Sequence, residues 1–553
     1  MKASRYLAPA FLAGLLLVPP AFAAPLLETI ADHLRQRIEL DQTKVGPAPV
    51  PIDRATLMQF YDARGYRPLW IDAGGPTPAA RVLRAALANA DREGLDPADY
   101  PVAVIDKLAE SAWPSALTDL ELLLTQELVH YVRDAALGRL SPRAVDSELF
   151  LRTGDIEHLA LLERAAAAAQ DLDDFLDAAM PSNPVYRRLR RALARYRRIE
   201  RAGGWPVLVA GPALKEGVRS ARVPVLRERL EATRDITVPA SEPDHFDSAL
   251  TLAVQRFQRR HGLEADGVVG PATRAQLNVP VRTHIRQIVV NMERWRWMPD
   301  DLGYRYILVN LAGFELEVVE SGQVVMELRT VVGRPYRRTP IFSADMTYLE
   351  FNPTWTIPPT ILREDILPHV REDPRYLIER NIRVFSGWTE DARELHPLAI
   401  DWASVAPSRI PYRLRQEPGP KNPLGRVKFM FPNPFHVYLH DTPSRELFAR
   451  TVRTFSSGCI RVEQPLRLAA YLLADQPGWT DERMRQIIDS GKTTVVRLST
   501  PMPVHLSYLT VWIGEGGTIH FRDDVYGRDA LLDNALSAKT TPPLSALERS
   551  LLD

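Results

Sequence analysis

The sequence predicts a multidomain α+β chain: an N-terminal α-helical region, a small three-helix unit, and a β-rich domain that carries an insertion. Three observations lead there. At 553 residues the chain exceeds one domain, for which about 150 residues is the usual length. Apolar residues recur at helical spacing as far as about residue 215. From about Tyr304 the pattern turns to the period-two alternation of strands. With 45% hydrophobic and 25% charged residues, the composition is that of an ordinary soluble globular protein. The 69 basic and 69 acidic residues cancel, so no global field draws in a polyanion and nucleic acid is not an expected partner.

Residues 1–23 read as an export signal: Lys2 and Arg5 precede an apolar run from Tyr6 to Val18, and the small-residue site Ala21-Phe22-Ala23 predicts cleavage before Ala24. The run falls short of the roughly 20 residues a spanning helix needs, and Pro19-Pro20 would break it. No later stretch is apolar enough to span, so the expected mature protein lies outside the cytoplasm, in the periplasm, without a transmembrane anchor.

Residues 24–220 are expected to be a helical scaffold. Leu117, Leu120, Leu124, Leu128 and Val132 form a helical stripe that stops at Gly138. An arginine-rich helix containing Arg187, Arg188, Arg190, Arg191, Arg195, Arg197, Arg198 and Arg201 around Leu189, Leu193 and Tyr196 reads as a solvated face in preference to a polyanion site. Residues 223–280 predict three short helices: one opened by Pro224 with Leu226 and Leu230, one with Leu250, Val254 and Phe257, and one with Leu277 after the turn at Gly270-Pro271.

The β-rich domain is placed at 300–535. Tyr306 to Asn310, Phe314 to Val318 and Val324 to Val332 predict strands, the last two joined by Ser321-Gly322 as an antiparallel hairpin. Strand periodicity stops at Trp355 and resumes near Arg426. Between them, Pro358 and Pro359 cannot join a central ladder, and Ile361, Leu362, Ile366 and Val370 follow at helical spacing. The stretch from about 357 to 412 is therefore expected to be an inserted lid. Residues 536–553 read as a loose tail.

Cys459 is the chain's one cysteine, so no internal disulfide forms, and in an exported protein a lone thiol is either buried and inert or kept for its reactivity. A thiol near pKa 8.5 is a slow nucleophile at neutral pH unless a base or positive charge favours the thiolate. His440 lies 19 residues upstream, in His436-Val437-Tyr438-Leu439-His440-Asp441. On a strand, His436, Tyr438 and His440 would share a face. Gly458 would let backbone approach a substrate, the amides around Cys459 would be placed to hold an oxyanion, and Arg461 adds positive charge. Taken alone, one His and one Cys leave a buried, inert cysteine as the plainer reading.

The local pattern decides otherwise. Tyr438-Leu439-His440-Asp441 with Ser456-Ser457-Gly458-Cys459-Ile460-Arg461-Val462 resembles the YkuD-like L,D-transpeptidase signature. Phe385-Ser386-Gly387-Trp388, Pro418-Gly419-Pro420-Lys421-Asn422-Pro423-Leu424-Gly425 and the run from Phe521 to Asp529 resemble its large YcbB-like subgroup, which carries a capping subdomain at the position of the insertion. Upstream, Ala253-Val254-Gln255-Arg256-Phe257-Gln258, His261-Gly262-Leu263, Asp266-Gly267 and Gly270-Pro271-Ala272-Thr273 resemble the three-helix peptidoglycan-binding domain.

The resemblance implies an enzyme that joins diaminopimelate residues of peptidoglycan stem peptides through a cysteine thioester. It makes Cys459 the nucleophile and His440 the general base and acid, with the Asp441 backbone carbonyl orienting the imidazole. Gly458 and Tyr438 become candidates for the oxyanion site, and Arg461 and Ser457 for substrate binding. Many members have His where this chain has Ser457, and Gly or Ser where it has Asp441. His436 is the nearest rival for the base but fits the signature spacing worse, and reads as structural. No metal and no cofactor is implied. Stem peptides and glycan strands are the expected partners, with cell-wall synthesis proteins as candidates, and the family forms stable adducts with carbapenems. His before Cys also runs opposite to papain-like hydrolases. The alternatives are an L,D-carboxypeptidase, in which water resolves the thioester, and a non-catalytic wall-binding scaffold.

Overall fold

A computed structural model describes residues 20–45, 51–151 and 154–538, so residues 1–19 of the expected export signal and 539–553 of the expected tail lie outside the described residues. The described residues fold as two compact units, one holding 20–45, 51–139 and 154–183, the other holding 140–151 and 184–536. Among the described residues no helix is long and apolar enough to cross a membrane.

The first unit is helical, with a two-stranded ribbon, β1 (Ile71–Asp72) and β2 (Gly75–Pro76). Its axis is the helix Pro114–Leu137, which carries the expected leucine stripe but is buried around most of its circumference, polar residues included. Those polar groups are paired. Buried Glu121 accepts from the Leu69 and Trp70 amides at 2.7 and 2.8 Å and from the Tyr61 hydroxyl at 2.9 Å. His130 lies between Glu127 and Asp134 at 3.0 and 3.2 Å. Burial lowers its affinity for a proton, but the two carboxylates outweigh that and raise its pKa to about 9.

In the second unit, the arginine-rich helix Pro184–Arg201 buries Tyr186, Leu189, Leu193 and Tyr196 and exposes Arg187, Arg188, Arg191, Arg198 and Arg201, a solvated face as read. Helices Arg222–Ala232, Ser248–Arg260 and Pro271–Leu277 form the three-helix unit. Leu226, Leu230, Leu250, Val254, Phe257 and Leu277 fill its core, which also takes in Leu208 and Leu214 upstream of Val223. Leu214 bridges to Val269, so the unit begins earlier than helical periodicity indicates.

The β-rich domain is a sheet of nine strands. They are β3 (Arg305–Asn310), β4 (Glu315–Glu320), β5 (Gln323–Gly333), β6 (Ser343–Phe351), β11 (Val427–Met430), β12 (Leu439–His440), β13 (Thr454–Ser456), β14 (Ile460–Val462) and β15 (Thr494–Ser507). Their order is β13-β5-β14-β12-β11-β6-β15-β3-β4, and because β4 also pairs with β5 the sheet closes on itself. Ser321 and Gly322, both at positive φ, make the tight turn of the β4–β5 hairpin. Inward side chains such as Val309, Leu316, Leu349, Phe429, Leu439 and Ile460 form one apolar core. A ribbon of β16 (Val511–Ile513) and β17 (Ile519–Phe521) stands apart from this sheet.

The insertion holds more strand than its sequence pattern suggests. β7 (Trp355–Thr356), β8 (Ile382–Phe385), β9 (Glu394–Leu395) and β10 (Arg413–Gln416) form a separate sheet in the order β7-β10-β8-β9. A π-helical turn, Leu362–Ile366, links helical turns Pro359–Ile361 and Leu367–Glu372. Ile357, Leu362, Leu367, Val370, Val384 and Leu414 belong to a core of its own. The strands are two to four residues long, too short to carry a period-two signal.

Candidate active site

Strand register assembles the site. β12 and β14 pair in parallel with Leu439 opposite Ile460 and His440 opposite Arg461. Leu439 and Ile460 point into the core, so Tyr438, His440, Cys459 and Arg461 share the outer face. Antiparallel pairing adds Lys428 of β11, opposite His440, and then Glu350 of β6, opposite Lys428. Cys459 thus lies two residues before Arg461, the residue opposite His440, and on the same face.

His440 is buried, and its Nδ1 hydrogen-bonds the Asp441 backbone carbonyl at 2.5 Å. A carbonyl only accepts, so Nδ1 carries the proton and Nε2 of the neutral ring is the basic nitrogen. Burial, with Arg461 second, lowers the imidazole pKa to about 3. The Asp441 side chain is itself fixed: it accepts from the Arg426 amide at 2.8 Å and the Thr442 amide at 2.7 Å, and pairs with Arg445. A Cβ on Gly425, whose φ is +61°, would collide with this carboxyl, so glycine is required beside it.

Cys459 is half-buried. Burial raises its thiol pKa, while hydrogen bonds from the Tyr438 amide and hydroxyl, then the charges of Lys428 and Arg461, pull it back down. Lys428 Nζ sits 4.2 Å from the centre of the Tyr438 ring and 3.9 Å from Glu350. Tyr438 is held well above its ordinary pKa, first by burial and then by Cys459, and remains a hydrogen-bond donor.

The turn before the thiol is locked by residues the sequence reading passed over. Buried Ser456 Oγ donates to the Cys459 carbonyl at 2.5 Å and accepts from the Gly458 amide at 3.1 Å. Thr339 Oγ1 donates to the Gly458 carbonyl at 2.9 Å. Gly458 has φ +115°, a conformation that favours glycine. Its amide, read as an oxyanion donor, is engaged by Ser456 in this structure. Ser457 is exposed and accepts from Arg337 at 2.8 Å.

His436 does not share the strand face that alternation assigns it. Asn433 accepts from the Phe435 and Val437 amides and donates to the Val437 carbonyl, folding the chain into a turn with His436 exposed at φ +54°. Extended pairing begins only at Leu439. The His436 carbonyl, not its ring, faces the thiol, 3.8 Å from Sγ. Ser456 stood inside the recognised turn and Lys428 inside a predicted strand, so both were within reach of the sequence; Arg337, 120 positions before Ser457, carried no signal.

Parts of the chain are similar to known protein families. Residues 304–496 match the YkuD family model, described as "L,D-transpeptidase catalytic domain". This stretch is therefore similar to the catalytic domain of YkuD L,D-transpeptidases. It is joined to a region matching "Putative peptidoglycan binding domain" at 219–277 and one matching "Scaffold domain" at 55–193. Over 250 residues the chain is 36% identical to a protein of Haemophilus influenzae named "Putative L,D-transpeptidase", a match covering 45% of this chain and 49% of that one. It thus spans about half the length of that curated relative. Among solved structures, an L,D-transpeptidase from Xylanimonas cellulosilytica is 18% identical, covering 54% of this chain and 98% of that one, with a TM-score of 0.16. One from Stackebrandtia nassauensis is 12% identical, covering 57% and 99%, with a TM-score of 0.21. Structural likeness that low adds nothing to the assignment.

Proposed function

We propose that this protein is an exported L,D-transpeptidase that joins diaminopimelate residues of neighbouring stem peptides through a thioester on Cys459. The observation that carries the reading is the placement of Cys459 on one sheet face with His440, whose Nδ1 is held by the Asp441 carbonyl. That hydrogen bond makes Nε2 the basic nitrogen of the ring.

At neutral pH the imidazole is neutral and the thiol protonated, because burial lowers one pKa and raises the other. His440 therefore takes the thiol proton as Sγ attacks the carbonyl of the stem's third residue. The protonated imidazole then gives that proton to the departing D-alanine amine, leaving a thioester. An amine from a second stem, losing its proton to His440, attacks the thioester and releases the thiol. The Tyr438 hydroxyl is the candidate donor to the oxyanion, and Lys428 and Arg461 stabilise negative charge on sulfur or oxygen. The insertion, acting as a lid, would exclude water and favour the amine acceptor. The 219–277 region would dock the enzyme on glycan strands.

Incubating the purified protein with tetrapeptide stems and separating the products by mass tests the reading. Cross-linked dimers with loss of D-alanine are expected. Trimmed monomers without dimers would make the protein an L,D-carboxypeptidase, and unaltered peptides would leave a wall-binding scaffold.

A further inference from the structure

Arg337, in the loop after β5, lies between the nucleophile turn and the lid. Its Nη1 donates to Ser457 Oγ at 2.8 Å, two residues before Cys459. The same guanidinium pairs with two carboxylates on the lid's π-helical turn, Asp365 at 2.5 and 3.2 Å and Glu364 at 2.6 Å. Its side chain is only 11% exposed, whereas those of Glu364 and Asp365 are 41% and 37% exposed. Among the described residues its buried Nε finds no acceptor. A guanidinium fork near the nucleophile is thus occupied by carboxylates from the lid, and a π turn is the local irregularity that brings two successive acidic residues to it.

We propose that Arg337 reads a carboxylate of the donor peptide, its terminal D-alanine carboxylate, and that Glu364 and Asp365 hold this site shut until the donor displaces them. The proposal rests on the reading of the chain as an L,D-transpeptidase and deepens it, naming the group that determines donor choice and the event that opens the lid. Guanidinium pairs a planar carboxylate through two parallel hydrogen bonds, geometry that neither lysine nor glutamine reproduces. Donor entry exchanges one set of carboxylate pairs for another, so opening the lid and seating the donor become one step. Arg337 touches substrate without taking part in proton transfer, which makes it a specificity-determining residue.

Binding is measured by calorimetry on the full chain carrying Cys459→Ala, so that no chemistry intervenes, using a tetrapeptide stem and the same peptide with its C-terminal carboxylate converted to carboxamide. The carboxylate peptide is expected to bind on the order of tenfold more tightly than the amide, the size of one charge-assisted pair. Adding Arg337→Gln should bring the ratio near one by weakening the carboxylate peptide alone, and Arg337→Lys should restore part of it. Glu364→Gln with Asp365→Asn, changes on half-exposed side chains, should tighten the carboxylate peptide and leave the amide unchanged. An unchanged ratio in Arg337→Gln overturns the proposal while leaving the transpeptidase reading intact. A ratio that behaves as expected in a protein whose Cys459 form makes no product sinks the transpeptidase reading instead. Failure of both peptides to bind overturns both.

Discussion

Replacing Ser456 with alanine tests how the nucleophile turn is held. Ser456 is 3% exposed and its hydroxyl does two things at once: it donates to the Cys459 carbonyl at 2.5 Å and accepts from the Gly458 amide at 3.1 Å. Alanine removes both and adds no replacement, leaving a buried acceptor and a buried donor. Each such loss costs roughly 1–2 kcal/mol, so about 2–4 kcal/mol is expected in total. Part appears as lost stability and part as displacement of Sγ from its position on the sheet face. If the whole sum fell on the transition state, acylation would slow by about 30- to 1,000-fold. Denaturant unfolding of the full chain and single-turnover acylation of Cys459, followed by intact mass, divide the total. Ser456→Thr, which keeps the hydroxyl, should recover most of the loss. An alanine variant within about 0.5 kcal/mol of wild type and within about twofold in acylation rate would refute the assigned role.

Three further outcomes are expected. Lys428→Met removes a charge that favours the Cys459 thiolate, so the pH profile of thiol alkylation by iodoacetamide should move to higher pH; an unmoved profile would detach Lys428 from the site. In the helical unit, His130 has a folded pKa of about 9, above its ordinary 6.5. The stabilisation it provides is complete below pH 6.5 and is lost as pH rises through 9, so melting of that unit should fall across this window and His130→Leu should flatten the dependence. Replacing residues 358–412 with a short Gly/Ser linker should leave the main sheet folded, because the lid has its own core, and should raise hydrolysis relative to dimer formation; an unchanged product ratio would remove the lid's proposed role.

Much of the catalytic domain was legible because its strands are long enough to alternate. β4 and the Ser321-Gly322 turn are examples; in the separate helical unit, the leucines of Pro114–Leu137 are buried at the spacing that announces a helix. Motif spacing singled out Cys459 and His440, which the β12–β14 register puts on one sheet face. What stayed hidden has physical causes. The lid's strands are too short to show a period, and the Asn433 turn overrides alternation at His436 through side-chain hydrogen bonds to backbone. Contacts between distant segments leave no local trace, so Arg337 meeting Ser457 and Thr339 meeting Gly458 emerge only in three dimensions.

The central claim is that Cys459, activated by His440, carries the acyl group. Intact-mass measurement of the protein mixed with a tetrapeptide stem and quenched in acid tests it directly. The account predicts an added mass equal to the stem less its terminal D-alanine, mapped to Cys459, released by hydroxylamine, absent in Cys459→Ala and strongly reduced in His440→Ala. An adduct that persists in Cys459→Ala, or one that forms at an undiminished rate without His440, would contradict it.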